Sequence, residues 1–163
     1  MADEVMAVIK PSLIRRFMAV ALLLISGGLL IYWGFNDATV GVIWKIFLTG
    51  AGVGLLVLAD KLRRATAESI ELTEAGLRES SGRILCAYDN IEKVERSAMS
   101  FKPSNGLLVR LNTPLPLAWA PGLWWRYGRK IGIGGVTSAR QAKAMADVIA
   151  LRRLLPQLDL DEK

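Results

Sequence analysis

Apolar residues form long unbroken runs early in the chain and alternate with polar ones later. From Phe17 to Phe35, nineteen residues pass without a charge, FMAVALLLISGGLLIYWGF. At the rise of an α-helix this run is about 28 Å long, close to the thickness of a bilayer's hydrocarbon core. A second run, Ala38 to Ala59, carries only Lys45. The first run has no polar face to give to water, so a pair of buried core helices fits it poorly. The pattern predicts two transmembrane helices, residues 17–35 and 40–59, joined by a turn at 36–39 and preceded by an N-terminal segment, 1–16.

Charge sets the expected direction of this hairpin. Lys10, Arg15 and Arg16 stand before the first run, and Lys61, Arg63 and Arg64 follow the second, whereas the turn has no base. The excess of bases predicts both termini in the cytoplasm, as in a multi-pass protein of a bacterial inner (plasma) membrane. Tyr32, Trp33, Phe35 and Trp44 cluster near the turn, as an interfacial belt would. Lys45 lies close enough to that end for its stem to snorkel outward. Ser12-Leu13-Ile14-Arg15-Arg16-Phe17 is similar to a twin-arginine signal. The run is too long for a signal's apolar region, however, and no A-x-A-like site follows, so no cleavage is expected. Gly27 and Gly28 in the first helix match Gly50, Gly52 and Gly54 in depth, and Gly50 and Gly54 form a GxxxG pair. These glycines predict close packing within the hairpin or a surface for another membrane protein's helix.

After Glu68 the period changes. Ile70 to Thr73, Leu77 to Ser80, Arg83 to Tyr88 and Lys93 to Met99 read as short strands separated by turns. Pro103-Ser104-Asn105-Gly106 reads as a hairpin turn into a strand at Leu107 to Leu111. Thr113 to Gly128 carries three prolines and three tryptophans and reads as a long loop, followed by a short strand at Lys130 to Gly134. Ser138 and Gln141 form a capping box for a last helix. Its inward face is Ala142, Met145, Ala146, Ile149 and the stem of Arg153, and Pro156 is expected to stop it. The domain therefore spans 65–155, and 156–163 is a flexible tail.

Several short antiparallel strands closed by one helix resemble the pleckstrin-homology-like (PH-like) fold. The order of two spans followed by such a domain is similar to the membrane-anchored bacterial PH-like proteins. The residues that carry the resemblance are Ile70-Glu71-Leu72-Thr73 with Gly76-Leu77, Asp89-Asn90-Ile91-Glu92-Lys93-Val94, and Ile131-Gly132-Ile133-Gly134-Gly135-Val136 leading into the helix. The resemblance implies an α+β membrane protein: a transmembrane hairpin, then a PH-like antiparallel β-barrel or sandwich with a C-terminal helix. Phosphoinositide-binding members place bases in the first hairpin. Here that region holds Glu68, Glu71, Glu74 and Glu79 against Arg78 and Arg83, which argues against such a headgroup at that site.

The chain's net charge of +6 is unevenly shared. Residues 68–95 carry a net −4, and residues 96–146 carry eight bases and no acid. Within the basic stretch Trp119, Trp124, Trp125, Arg126, Tyr127, Arg129 and Lys130 are crowded together. Aromatic rings beside cations suit a bilayer surface with anionic headgroups, or a protein partner; the alternative is that the tryptophans fill the space beneath a loop. Nucleic acid is not expected as a partner of a membrane-tethered patch of this size. The chain has no His and one Cys, Cys86. No intrachain disulfide, Cys/His zinc site or His-dependent catalysis is available to it. Gly132-Ile133-Gly134-Gly135 lacks the remaining residues of a nucleotide-binding loop. Asp89, Glu92 and Glu95 would share a face only if that stretch were helical. The expectation is a non-enzymatic protein without cofactor or metal. It would bind anionic lipid or a neighbouring membrane protein, or act as an accessory subunit of a membrane complex docked through the glycine-lined hairpin.

Overall fold

A computed structural model of the protein describes residues 4–36, 41–95 and 106–161, with side chains through Arg152 in the last of these. The residues expected to form the 36–39 turn beyond Asn36, the Pro103–Asn105 turn, the strand past Glu95, the Arg153 stem and the end of the tail lie outside the described positions.

The two apolar runs form helices α1 (Leu13–Asn36) and α2 (Val42–Ala65), each of 24 residues and about 36 Å long. They pack along each other. Both are long and apolar enough to cross a membrane, and only 11% of each apolar stretch is buried. Phe17, Leu22, Ile25, Ile43, Ile46 and Phe47 all project outward, more than half exposed. A core helix of a water-soluble domain would instead bury such a face.

The rest of the chain folds into two antiparallel sheets and a helix. One sheet has the order β1 (Val5–Ile9), β2 (Ile70–Thr73), β3 (Gly76–Glu79), β4 (Ile84–Ala87). The other has the order β5 (Ile91–Glu95), β6 (Leu107–Ala120), β7 (Trp124–Ile133). Helix α3 (Ala139–Asp161) packs against β1, β5 and β6. A single apolar core joins all three layers: Ile9, Ile70 and Leu77 from the first sheet, Val109, Leu111 and Ile131 from the second, Met145 and Ile149 from the helix. Each of these side chains contributes about 1.5–3 kcal/mol by leaving water.

Strand β1 corrects the expected domain boundary. The segment before the hairpin pairs with β2 in the register Ile9↔Ile70, Val8↔Glu71 and Ala7↔Leu72, so the domain is not confined to 65–155. Beyond it Pro11 bridges Thr137, Ser12 N–H donates to the Val136 carbonyl, and Lys10 N–H donates to Gln141 Oε1. The hairpin is thus an insertion between two neighbouring strands of one sheet.

The second correction concerns the expected loop at Thr113 to Gly128, which is strand almost throughout. Prolines are tolerated in strands where pairing is interrupted, and the β6–β7 register shifts on both sides of Leu115, around Pro114 and Pro116. Asn90 Oδ1 holds the bend by accepting both the N–H and the hydroxyl of Thr113 at 2.8 Å. The ribbon curls far enough for Gly134 N–H to reach the Leu123 carbonyl and Val136 N–H to reach that of Gly122.

Helix α3 buries the expected face: Ala142, Met145, Ala146 and Ile149 are all within 2% of full burial. Its start differs from a reciprocal capping box, because the Gln141 side-chain oxygen is used by Lys10. Pro156 does not stop it; the helix continues to Asp161, through most of the segment expected to be tail. A proline removes its own backbone donor, and hydrogen bonds on either side carry the helix past it.

Candidate functional site

The neck between hairpin and domain brings the charged helix ends beside the tip of the β6–β7 ribbon. Leu62, on the last turns of α2, is nearly buried, and Thr66 closes the helix by donating its hydroxyl to the Leu62 carbonyl at 2.6 Å. The ribbon's turn rests on this pair. Gly122 has φ +73°, and a Cβ there would stand 2.9 Å from Leu62 Cδ1 and 3.3 Å from Thr66 Cγ2. Only glycine meets both demands.

That contact carries Trp119 to the end of α2. A groove of about 370 Å³ opens there, lined by Lys61, Arg64, Glu68, Glu79, Arg83 and Trp119, with Ala65, Ala120 and Pro121. A second depression of about 510 Å³ runs up α2 past Leu56, Val57 and Asp60, and shares Lys61 and Arg64 with the first. Asp60 is held by Arg63 at 3.1 Å and by Arg64 Nε at 2.7 Å. These pairs are exposed and orient the guanidinium groups more than they stabilise the fold. Arg16 donates to the Arg63 carbonyl at 3.0 Å, which joins the two helix ends, and Arg15 donates to the Thr137 carbonyl at 3.1 Å, which ties α1 to the domain.

Strand alternation divides the basic–aromatic cluster. Trp124 is 2% exposed and belongs to the core. Its Nε1–H donates to Glu79 Oε1 at 2.5 Å, and the guanidinium groups of Arg83 and Arg126 lie 5.0 Å and 6.0 Å from its ring. Arg126 is spent on backbone, donating to the Leu85 carbonyl and, at 3.0 Å, to that of Pro116. The surface role expected of Trp124 and Arg126 is therefore corrected: one fills the core and the other ties β7 to β4. Trp125 is half-buried against Gly132, where a Cβ would come within 2.3 Å of the indole ring. Tyr127, Arg129 and Lys130 are exposed but do not line the groove. Of the seven, Trp119 alone does, 56% exposed. Lys61 and Arg64, read from the sequence only as markers of orientation, join it. Arg83, Glu68 and Glu79 had no local signal beyond their charge.

The hairpin's glycines divide in the same way. Gly27 faces Gly52, with a built Cβ 2.9 Å from the Gly52 oxygen, and Gly34 meets Thr49 Oγ1 at 2.8 Å. Gly28, Gly50 and Gly54 have open space where a side chain would go, so they do not pack the two helices together. The matched depths were correct for Gly27, but helical rotation turns the other three away.

Two further groups are chemically quiet. Burial pushes the Cys86 thiol up to about 11, against smaller opposing effects from a Leu77 backbone hydrogen bond and the Arg126 charge. Residues 91–95 are strand, so Asp89, Glu92 and Glu95 do not share a helix face, and Glu95 pairs with Arg110 at 3.0 Å. No cluster of His, Cys, Asp or Glu able to hold a metal ion occurs among the described residues. No family model matches the chain, and neither the characterised proteins nor the solved structures searched contain a match to it.

Proposed function

We propose that this is a non-enzymatic integral membrane protein. Its hairpin spans the inner (plasma) membrane of a bacterium, and its PH-like domain works at the cytoplasmic surface, binding lipid headgroups or a neighbouring membrane protein. The observation that carries this reading is the placement of the hairpin between β1 and β2. Two strands paired in one sheet hold both ends of the hairpin on the same side of any membrane it crosses. The outward apolar faces of α1 and α2 then meet lipid. Arg15, Arg16, Lys61, Arg63 and Arg64 gather at the domain end and Tyr32, Trp33, Phe35 and Trp44 at the other, as the positive-inside rule and an aromatic belt require. Each base close to an anionic leaflet adds about 1 kcal/mol of attraction. Support for the PH-like reading is the count of four strands plus three followed by a helix, with the hairpin set after the first strand and neither sheet closed.

Accessibility of single cysteines in a Cys86→Ser background tests the arrangement. A membrane-impermeant maleimide should label Asn36→Cys in intact cells and Arg129→Cys only after permeabilisation. Labelling of Arg129→Cys from outside would refute the orientation. A second reading, an accessory subunit of a larger complex, draws on the open faces of Gly50 and Gly54, where another helix could approach closely. Purification in mild detergent distinguishes it, since a stoichiometric protein partner lost on Gly50→Leu/Gly54→Leu substitution would favour the subunit.

A further inference from the structure

The groove at the neck has a charge pattern that the expectation of an anionic ligand does not explain. Lys61, Arg64 and Arg83 line the two adjoining depressions, and so do Asp60, Glu68 and Glu79. Bases and acids balance, and a purely anionic headgroup drawn in by the first set would be repelled by the second. Glu79 is the most constrained member. It is 7% exposed, its oxygens accept from the neutral Trp124 N–H and, at 3.2 Å, the Ser81 hydroxyl, and it makes no ion pair among the described residues. Arg83 stacks on the Trp124 ring instead of pairing with it. With no direct ion pair, the Glu79 carboxylate keeps acceptor capacity for a ligand that brings a positive group to the groove.

The order of chemistry along the neck is directional. Leu56 and Val57 present an apolar surface; Lys61 and Arg64 follow about a turn or two later; Glu68 lies past the end of α2, beside Glu79. A glycerophospholipid with an ethanolamine headgroup has the same sequence: acyl chain, phosphate, primary ammonium. We propose that the groove seats one such aminophospholipid. Its acyl chain lies on Leu56 and Val57, its phosphate sits between Lys61 and Arg64, its ammonium points to Glu68 and Glu79, and Trp119 forms the outer wall. The volume of about 370 Å³ suits a headgroup. Glu68 already accepts from the Ser80 hydroxyl at 2.5 Å, so its carboxylate is oriented and keeps lone pairs for N–H donors, which a trimethylated ammonium lacks. This assignment rests on the hairpin crossing a membrane, and the cysteine labelling above judges that premise separately.

The test uses the full-length protein in nanodiscs of equal parts phosphatidylethanolamine, phosphatidylglycerol and phosphatidylcholine. The protein is then transferred to mild detergent, and retained lipids are counted by native mass spectrometry. One phosphatidylethanolamine should be retained at least fivefold over either competitor. Glu68→Gln, at a half-buried position outside the core, should remove the preference, and Lys61→Gln/Arg64→Gln should remove retention. Equal or greater retention of either competitor, no retained lipid, or an unchanged preference in Glu68→Gln would each overturn the assignment. So would equal thermal protection by soluble phosphoethanolamine, which has no acyl chain. Correct cysteine labelling alongside any of these failures would leave the membrane reading standing.

Discussion

Removing the N-terminal strand should unfold much of what lies after the hairpin. A fragment of residues 65–163 looks from the sequence like a complete domain, yet it lacks β1. Ile9 is fully buried in the core, and Met6 and Ala7 pack against the same cluster. Its absence uncovers Ile70 on one side and the face of α3 that packs on β1 on the other. Deleting a single buried isoleucine side chain costs about 2–5 kcal/mol, out of the 5–15 kcal/mol typical of a domain. A comparison chain in which residues 4–12 are joined to 66–161 by a flexible glycine–serine linker restores the strand without the helices. With a urea slope of about 1.5 kcal/mol per M, the fragment's unfolding midpoint should lie at least ~1–3 M below that of the joined chain. The fluorescence of buried Trp124 reports the transition. Coincident midpoints would show that β1 adds nothing to the core and would refute the insertion argument.

Gly52→Ile should destabilise the hairpin by about 1–3 kcal/mol through overpacking, because a Cβ there already stands 2.6 Å from Ile31 Cγ1. Gly54→Ala should be neutral or stabilising by up to ~1 kcal/mol, and thermal unfolding in detergent would compare the two. Trp124→Phe should cost about 2–4 kcal/mol, chiefly from a buried Glu79 oxygen left without its donor, whereas Trp119→Phe should stay within about 0.5 kcal/mol; equal melting temperatures would contradict the core assignment. Cys86 should resist maleimide in the native protein and react on unfolding. Its folded thiol sits near 11 against 9.0 for the free group, so the unfolded chain loses its proton first. The stability advantage over Cys86→Ala should be complete below pH 9 and decline between 9 and 11. A rising advantage there would reverse the sign.

What was legible in the sequence was local. The charge-free run, the Ile70–Thr73 alternation and the Ala142/Met145/Ala146/Ile149 spacing each encode one element and its buried face. The strand at Val5–Ile9 is as apolar as any, but its partner comes only after the hairpin, and no short-range pattern announces such pairing. The β6–β7 ribbon was obscured by Pro114 and Pro116, which read as loop until the register shifts accommodate them. At the site, Trp124 and Trp125 are adjacent in sequence and point to opposite faces, so composition could not separate the core ring from its neighbour. The meeting of Trp119 with Lys61 and Arg64 follows from a tertiary contact, Gly122 on Leu62 and Thr66.

The placement of the hairpin between β1 and β2 also constrains biogenesis. The ribosome delivers Ile9 first, and its partner Ile70 follows about 60 residues later, after both helices have been made. If only one helix entered the bilayer, the two strands would be stranded on opposite faces, and the edge of β2 would be left open to other chains. On the proposed membrane reading, sheet completion would proofread insertion: a nascent chain threaded with the wrong number of crossings could not finish its domain and would present an unpaired strand edge to proteolysis.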